Sequence, residues 1–153
     1  MFDAHDRQIL RAIQLDSDRT IQDIADLIGL SATPTARRIK RLTDEGVIKK
    51  SVTLLDPEAL GLDATLFIFV RTSHHDAEWL EDFATGVQRM PEVVEFYRMS
   101  GEVDYLLRVV VPDIAAYDTF YQRLIEAIDL SDVSSSFAME QIKFTTSLPL
   151  DYA

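Results

Sequence analysis

TIQDIADLIGLSATPTARRIKRLTDEG, residues 20–46, is the stretch from which the rest of the chain is read. Ile21, Ile24, Ala25, Leu27 and Ile28 recur at helical spacing and define one apolar face. Gly29 supplies the backbone freedom of a sharp helix stop, and Leu30 follows as a small apolar plug. Ser31 suits the N-cap of a second helix, with Pro34 in its first turn, where a missing N–H costs little. Thr35, Ile39 and Leu42 then face inward, leaving Thr33, Arg37, Arg38, Lys40 and Arg41 outward. Two short helices with a tight turn, the second carrying four cations, predict a helix-turn-helix over about residues 20–43. Taken singly, the turn also fits a helical bundle, and the cation run fits a solvated face.

Charge distribution favours nucleic acid. The 153 residues carry a net charge of −11, unpromising for a DNA binder taken whole. Residues 1–55, however, hold nine Lys/Arg against eight Asp/Glu, a balance of +1. Seven of those nine cations are Arg19 and the six between residues 37 and 50. The remaining 98 residues hold six cations and eighteen anions, a balance of −12. An acidic remainder repels DNA and turns the N-terminal part toward it. With 47% apolar residues and only five Gly and five Pro, the chain is globular. No stretch is apolar for long enough to cross a bilayer, and the opening MFDAHDRQIL lacks a secretory signal, so a cytoplasmic protein is expected. With no Cys, disulfides and thiolate metal sites are excluded.

Upstream, residues 3–15 predict a first helix with Ile9, Leu10 and Ile13 buried and Asp3 or Asp6 at its N-terminus. Downstream, Val47-Ile48, Lys49-Lys50-Ser51 and Val52-Thr53-Leu54 suggest a short hairpin, the wing of a winged helix-turn-helix. Ser31, Lys40, Arg41, Lys49 and Lys50 are expected on phosphates, and Thr33, Arg37 and Arg38 near base edges. Residues 1–55 then form the DNA-binding domain and 56–62 a linker that opens on Asp56-Pro57 and closes near Gly61.

From residue 63 the rhythm changes. Strands are predicted over 64–72, 93–99, 105–111 and 131–145, and helices over 76–89 and from 112 to about 128. The order βαββαβ predicts an α+β, ferredoxin-like domain with four antiparallel strands and both helices on one face. The first strand is apolar on both faces: Leu66, Ile68 and Val70 on one, Phe67 and Phe69 on the other. Leu107, Val109 and Val111 likewise lie opposite Leu106 and Val110. An apolar open sheet face needs cover, most simply a second copy related by two-fold symmetry.

This combination resembles the Lrp/AsnC (feast/famine) transcription regulators over essentially the whole chain. The resemblance rests on Asp6-Arg7-Gln8-Ile9-Leu10, the helix pair, Gly46-Val47-Ile48, and the run from Met99 to Val109 around Gly101, Asp104 and Tyr105. The ending Ser135-Ser136-Phe137-Ala138-Met139-Glu140-Gln141-Ile142-Lys143 with Leu148-Pro149 fits too. His74-His75 before Trp79, with the Ser-Ser-Phe-Ala-Met-Glu run, resembles a cysteine-responsive bacterial branch. The family implies a C-terminal RAM or ACT-like domain and a homodimer assembling into octamers. It also implies a free amino acid bound between C-terminal domains, and no cofactor. Carried over residue by residue, the pocket comprises Ser100, Gly101, Glu102, Asp104 and Tyr105 of the turn and Ser134, Ser135 and Ser136 of the last strand. Both Thr35 and Ala36 are small where many members have a larger apolar residue, which leaves operator specificity open.

Other functions find less support. The chain has no Walker A loop, no His-Glu-x-x-His and no nucleophile beside an evident base, so an enzyme is not expected. His74 and His75 are adjacent with no third ligand near in sequence, so no metal site is expected. An amino-acid-binding sensor or scaffold without DNA binding is the alternative.

Overall fold

A computed structural model describes residues 2–73, 77–127 and 132–153. The chain forms two compact units, residues 1–54 with 143–153, and residues 55–142.

The first unit is built on α1 (Ala4–Leu15), α2 (Ile21–Ile28) and α3 (Ala32–Asp44). Ile9, Leu10, Ala12, Ile24, Ile28 and Leu42 form its core, with Ile13, Leu30, Ile39 and Ile48 packed around them. Capping sets the helix starts. Asp3 accepts from the Asp6 N–H at 2.8 Å, while the Asp6 carboxylate accepts from the Asp3 N–H at 3.3 Å. Thr20 and Asp23 make the same reciprocal box at α2. Gly29 ends α2 at φ +70°, the left-handed conformation that favours glycine. Ser31 is the N-cap of α3 by backbone position, but its hydroxyl makes no capping bond. Thr35 instead donates back to the Ser31 carbonyl at 3.0 Å.

Asp6 is the buried charge of this unit, 1% exposed. Arg38 Nη1 donates to its Oδ1 and Arg41 Nη2 to its Oδ2, each at 2.7 Å. Arg38 Nη1 also reaches Asp3 Oδ2 at 2.7 Å. Burial opposes ionisation of Asp6, but the bonds from Arg41, Arg38 and the Asp3 N–H outweigh it and hold its pKa below the ordinary value. Asp3 is held down by its bond from the Asp6 N–H and then by Arg38; Asp23 is held down by its bonds from Thr20.

Two expectations fail here. Residues 47–54 contain no strand, so the wing segment of this unit lies as irregular chain and not as the regular hairpin expected. A tight two-residue hairpin turn needs positive φ, and none of Lys49, Lys50 or Ser51 has it. The chain instead wraps the end of α3 through Gly46 at φ +74°, with the Val47 and Ile48 N–H groups donating to the Leu42 carbonyl. Residues 143–153, expected in the C-terminal domain, pack with the N-terminal unit. Leu150 joins its core, and Gln14 clasps Leu148 by accepting from its N–H at 2.6 Å and donating to its carbonyl at 3.4 Å. Arg7 donates to the Ala153 main-chain oxygen, and Arg11 pairs with Asp151.

The second unit is the expected βαββαβ fold. After a single 3₁₀ turn, Glu58–Leu60, come β1 (Ala64–Arg71), α4 (Ala77–Gln88), β2 (Val93–Arg98), β3 (Tyr105–Val111), α5 (Ile114–Ala127) and β4 (Asp132–Phe137). The sheet order is β2-β3-β1-β4 and every pairing is antiparallel. Leu66, Ile68, Val70, Tyr105, Leu107, Val109 and Val111 pack against Phe83, Val87, Phe120 and Leu124 of the helices. The opposite face carries Phe67 and Phe69 beside Arg108, Leu106 and Tyr97.

The last strand is shorter than expected. It pairs with β1 from Arg71↔Asp132 to Leu66↔Phe137. One more bond, Ala138 N–H to the Thr65 carbonyl, ends the ladder at the start of β1. Beyond it β1 offers no further partner, so residues 138–149 are not strand. His74, His75, Asp76, Ile128 and Ser131 lie outside the described residues.

Because the carboxyls of Asp3, Asp6 and Asp23 are all held down in the fold, their contribution to stability is fully present above the ordinary carboxylate range. It is lost as pH falls through that range and below it. Asp6→Asn should cost about 2 kcal/mol at neutral pH, the order expected for hydrogen bonds to a charged group. Thermal midpoints followed from about pH 6 to pH 3 should then fall less steeply for the variant than for the parent. Parallel curves would show that Asp6 does not carry the acid sensitivity.

Candidate functional site: nucleic-acid interface and ligand turn

The geometry of α3 divides its cations into two sets. Thr33, Arg37 and Lys40 lie on its exposed side, and Ser31 is exposed at its start. Arg37 makes no ion pair among the described residues, and its reach and planar fork suit a guanine edge. Lys40 pairs with Asp44 one turn on, at 2.7 Å, but both groups are largely solvated, so this pair opens at little cost. Arg38 and Arg41 point the other way, onto Asp6 of α1. Lys49 and Lys50 are exposed on irregular chain after α3 and form no ion pair among the described residues. An N-terminus with a free hydroxyl, an arginine with no ion pair among the described residues, and lysines in the second half of the helix and beyond its end can hold a duplex backbone while one fork reads bases.

The sequence placed Asp6 at a helix start and within the family motif, but not against α3. The available signal was in α3: Arg38 and Arg41, three apart, share a face, and two guanidiniums on an inward-turning face require a counter-charge.

The turn between β2 and β3 is the second candidate. Gly101 stands at φ +123°, a conformation that L side chains rarely adopt, although space is open around it. Ser100, Gly101 and Glu102 are exposed, the Glu102 side chain by 96%. Asp104 ties the turn to the sheet: its carboxylate accepts from the Thr72 N–H at 2.8 Å, and its own N–H donates to the Val70 carbonyl at 2.9 Å. Its carbonyl accepts from the Met99 N–H at 2.8 Å. Tyr105 points into the helix-covered core, with its ring 5.1 Å from Phe83 and 5.7 Å from Phe96.

The three serines of β4 do not converge. Ser135 pairs with Ile68 on the helix-covered face, where the Tyr117 hydroxyl bonds it at 2.7 Å. Ser134 and Ser136 lie beside Phe69 and Phe67 on the open face. Arg71, not anticipated, links the turn to β4. Its Nε donates to the Glu102 carbonyl at 2.9 Å, and its Nη1 lies 3.5 Å from Asp132. Its position at the end of β1, opposite Asp132, was the readable clue. The turn therefore offers exposed main-chain and hydroxyl groups, the solvated Glu102 carboxylate and the Arg71 guanidinium 4.0 Å from it, the chemistry that holds a zwitterion.

Among the described residues no helix is long and apolar enough to cross a membrane. A Lrp/AsnC ligand binding domain profile matches residues 65–148, and a winged helix-turn-helix DNA-binding profile matches residues 2–49. The chain is 50% identical to the DNA-binding transcriptional activator DecR of Escherichia coli K12, over 99% of this chain and 100% of that one. It is similar to the crystal structure of an AsnC family transcriptional regulator from Agrobacterium tumefaciens: TM-score 0.96, 58% identity, 99% of each chain. It is also similar to a Neisseria meningitidis transcriptional regulator solved as an L-methionine complex: TM-score 0.95, 35% identity, 99% of each chain. A winged helix-turn-helix with its cations graded along α3, followed by a βαββαβ ligand-binding unit, makes this chain a member of the Lrp/AsnC family of DNA-binding transcriptional regulators, and not an enzyme.

Proposed function

We propose that the protein acts in the cytoplasm as a homodimer, assembling further into octamers, that sets two copies of α3 into successive major grooves about 34 Å apart. Thr33 and Arg37 read base edges, and Ser31, Lys40, Lys49 and Lys50 hold phosphates. The observation that carries this reading is the exposed Arg37, without an ion pair among the described residues, on a helix whose other arginines are engaged. Dimer formation is supported by the open sheet face, where Phe67, Phe69, Leu106 and Val110 sit on the two central strands without helix cover.

The effector is a small amino acid received at the turn of Ser100, Gly101, Glu102, Asp104 and Tyr105, with Ser134 and Ser136 nearest the open face. L-Cysteine is the first candidate, on the resemblance of the Ser-Ser-Phe-Ala-Met-Glu run to a cysteine-responsive branch. Asp104 shapes the turn through Thr72, so it acts by holding the pocket as well as by its charge. Binding shifts assembly or DNA affinity only as far as the amino acid prefers one state.

Arg37→Ala should weaken binding to the operator by about 1–3 kcal/mol and leave binding to mixed-sequence DNA nearly unchanged, measured by fluorescence anisotropy. Equal losses on both would remove Arg37 from base reading. In light scattering, Leu106→Glu should give a folded monomer, because a carboxylate at the centre of a sheet-on-sheet contact is costly to desolvate. A dimer as tight as the parent would place the interface elsewhere. Asp104→Ala should keep DNA binding but lose the rise in melting temperature that L-cysteine produces in a thermal-shift screen of the amino acids. Retention of that rise by the variant would move the effector site away from this turn.

A further inference from the structure

Asp6 faces two arginines of the recognition helix, and this bears on how the protein discriminates between DNA sequences. The cluster contains two cations, Arg38 and Arg41, and two anions, Asp3 and Asp6, so its charge is balanced. The side chain of Asp6 is 2% exposed, against 29% for Arg38 and 46% for Arg41. Both carboxylate oxygens of Asp6 are used, one by each arginine, and the Asp3 N–H adds a further bond. Each arginine is thereby held against α1. A phosphate approaching this side of α3 meets a neutral cluster and displaces few counterions on its account.

We propose that Asp6 is a positioning residue for sequence recognition: it withdraws Arg38 and Arg41 from phosphate contact and clamps α3 to α1, so that the reading falls to the unpaired Arg37. Phosphate contacts add affinity without sequence information. Every cation taken out of that pool lowers non-specific affinity and enlarges the share carried by base edges. A carboxylate that only stapled two helices would serve with one arginine; here the second cation of the same helix face is also matched. The inference refines the residue assignment within a DNA-binding helix and leaves DNA binding itself untouched.

The test is the salt dependence of binding to a mixed-sequence duplex, followed by anisotropy on the full-length protein and expressed per bound helix-turn-helix. Asp6→Asn should steepen the slope of log K against log salt by at least about 0.9, the contribution of one newly engaged phosphate. It should also narrow the gap between operator and mixed-sequence affinities. The double variant Asp6→Asn/Arg41→Gln removes one anion and one cation and should return the slope to that of the parent. Arg41→Gln alone, which keeps Asp6 paired with Arg38, guards against a failure of the Asp6 variants to fold and should leave the slope unchanged. An unaltered slope in folded Asp6→Asn would overturn the proposal. So would a slope flattened by about 0.9 in Arg41→Gln or in the double variant, which would make Arg41 an ordinary phosphate ligand.

Discussion

A carboxylate with almost no access to water, at the start of α1, is the constraint on which the DNA-binding unit depends. Ionised Asp6 is tolerable there only because two guanidiniums and a main-chain N–H satisfy it. The requirement runs both ways. Arg38, half-buried, and Arg41, still open to solvent, both reach across from α3 to α1, and Asp6 is the carboxylate on which they meet. The charge network therefore fixes which face of α3 is presented outward, and hydrophobic packing of Ile9, Ile24, Ile28 and Leu42 fixes how closely the helices approach. Packing alone tolerates some rotation of a helix about its axis; a pair of charge-assisted bonds at 2.7 Å tolerates little.

In the other unit the governing constraint is the one-sided cover of the sheet. Both helices lie on the face of Leu66, Ile68, Leu107 and Val109, and the reverse face is nearly as apolar along β1 and β3. It carries a local ion pair, in which Arg108 donates to Glu95 at 2.8 Å beside the Tyr97 hydroxyl on the same carboxylate. The β2–β3 turn grows from the same sheet, and Asp104 fastens it to the last residues of β1. A change at the turn is thus felt first along β1, the strand that shares hydrogen bonds with both β3 and β4.

What could be read from the residues, and what could not, divides along physical lines. Helical and alternating periodicity report burial, so α1, α2, α3, β1 and β3 were legible almost to the residue, as was the βαββαβ order. Pairing partners are not encoded locally. The apolar, β-branched residues of 47–54 look like a hairpin, yet the backbone there lacks the positive φ that would close one. The last strand reads as long because residues 138–145 continue its composition, but β1 runs out of ladder at Thr65. The cation run of α3 was legible; which of its cations are tied down was not, because that turns on Asp6, thirty-two residues from Arg38. The three serines of β4 looked like one cluster in sequence, and the pleat sends Ser135 to the opposite face from its neighbours.

The N-terminal unit is discontinuous, since Leu148, Leu150 and Asp151 complete the surface of α1. On the ribosome, α1 is therefore made well before the segment that covers its flank, since Gln14 and the Leu148 it holds are 134 residues apart. Until then a nascent helix-turn-helix lacks the apolar cover that Leu150 gives its core, and its maturation is tied to the synthesis of the sheet made in between.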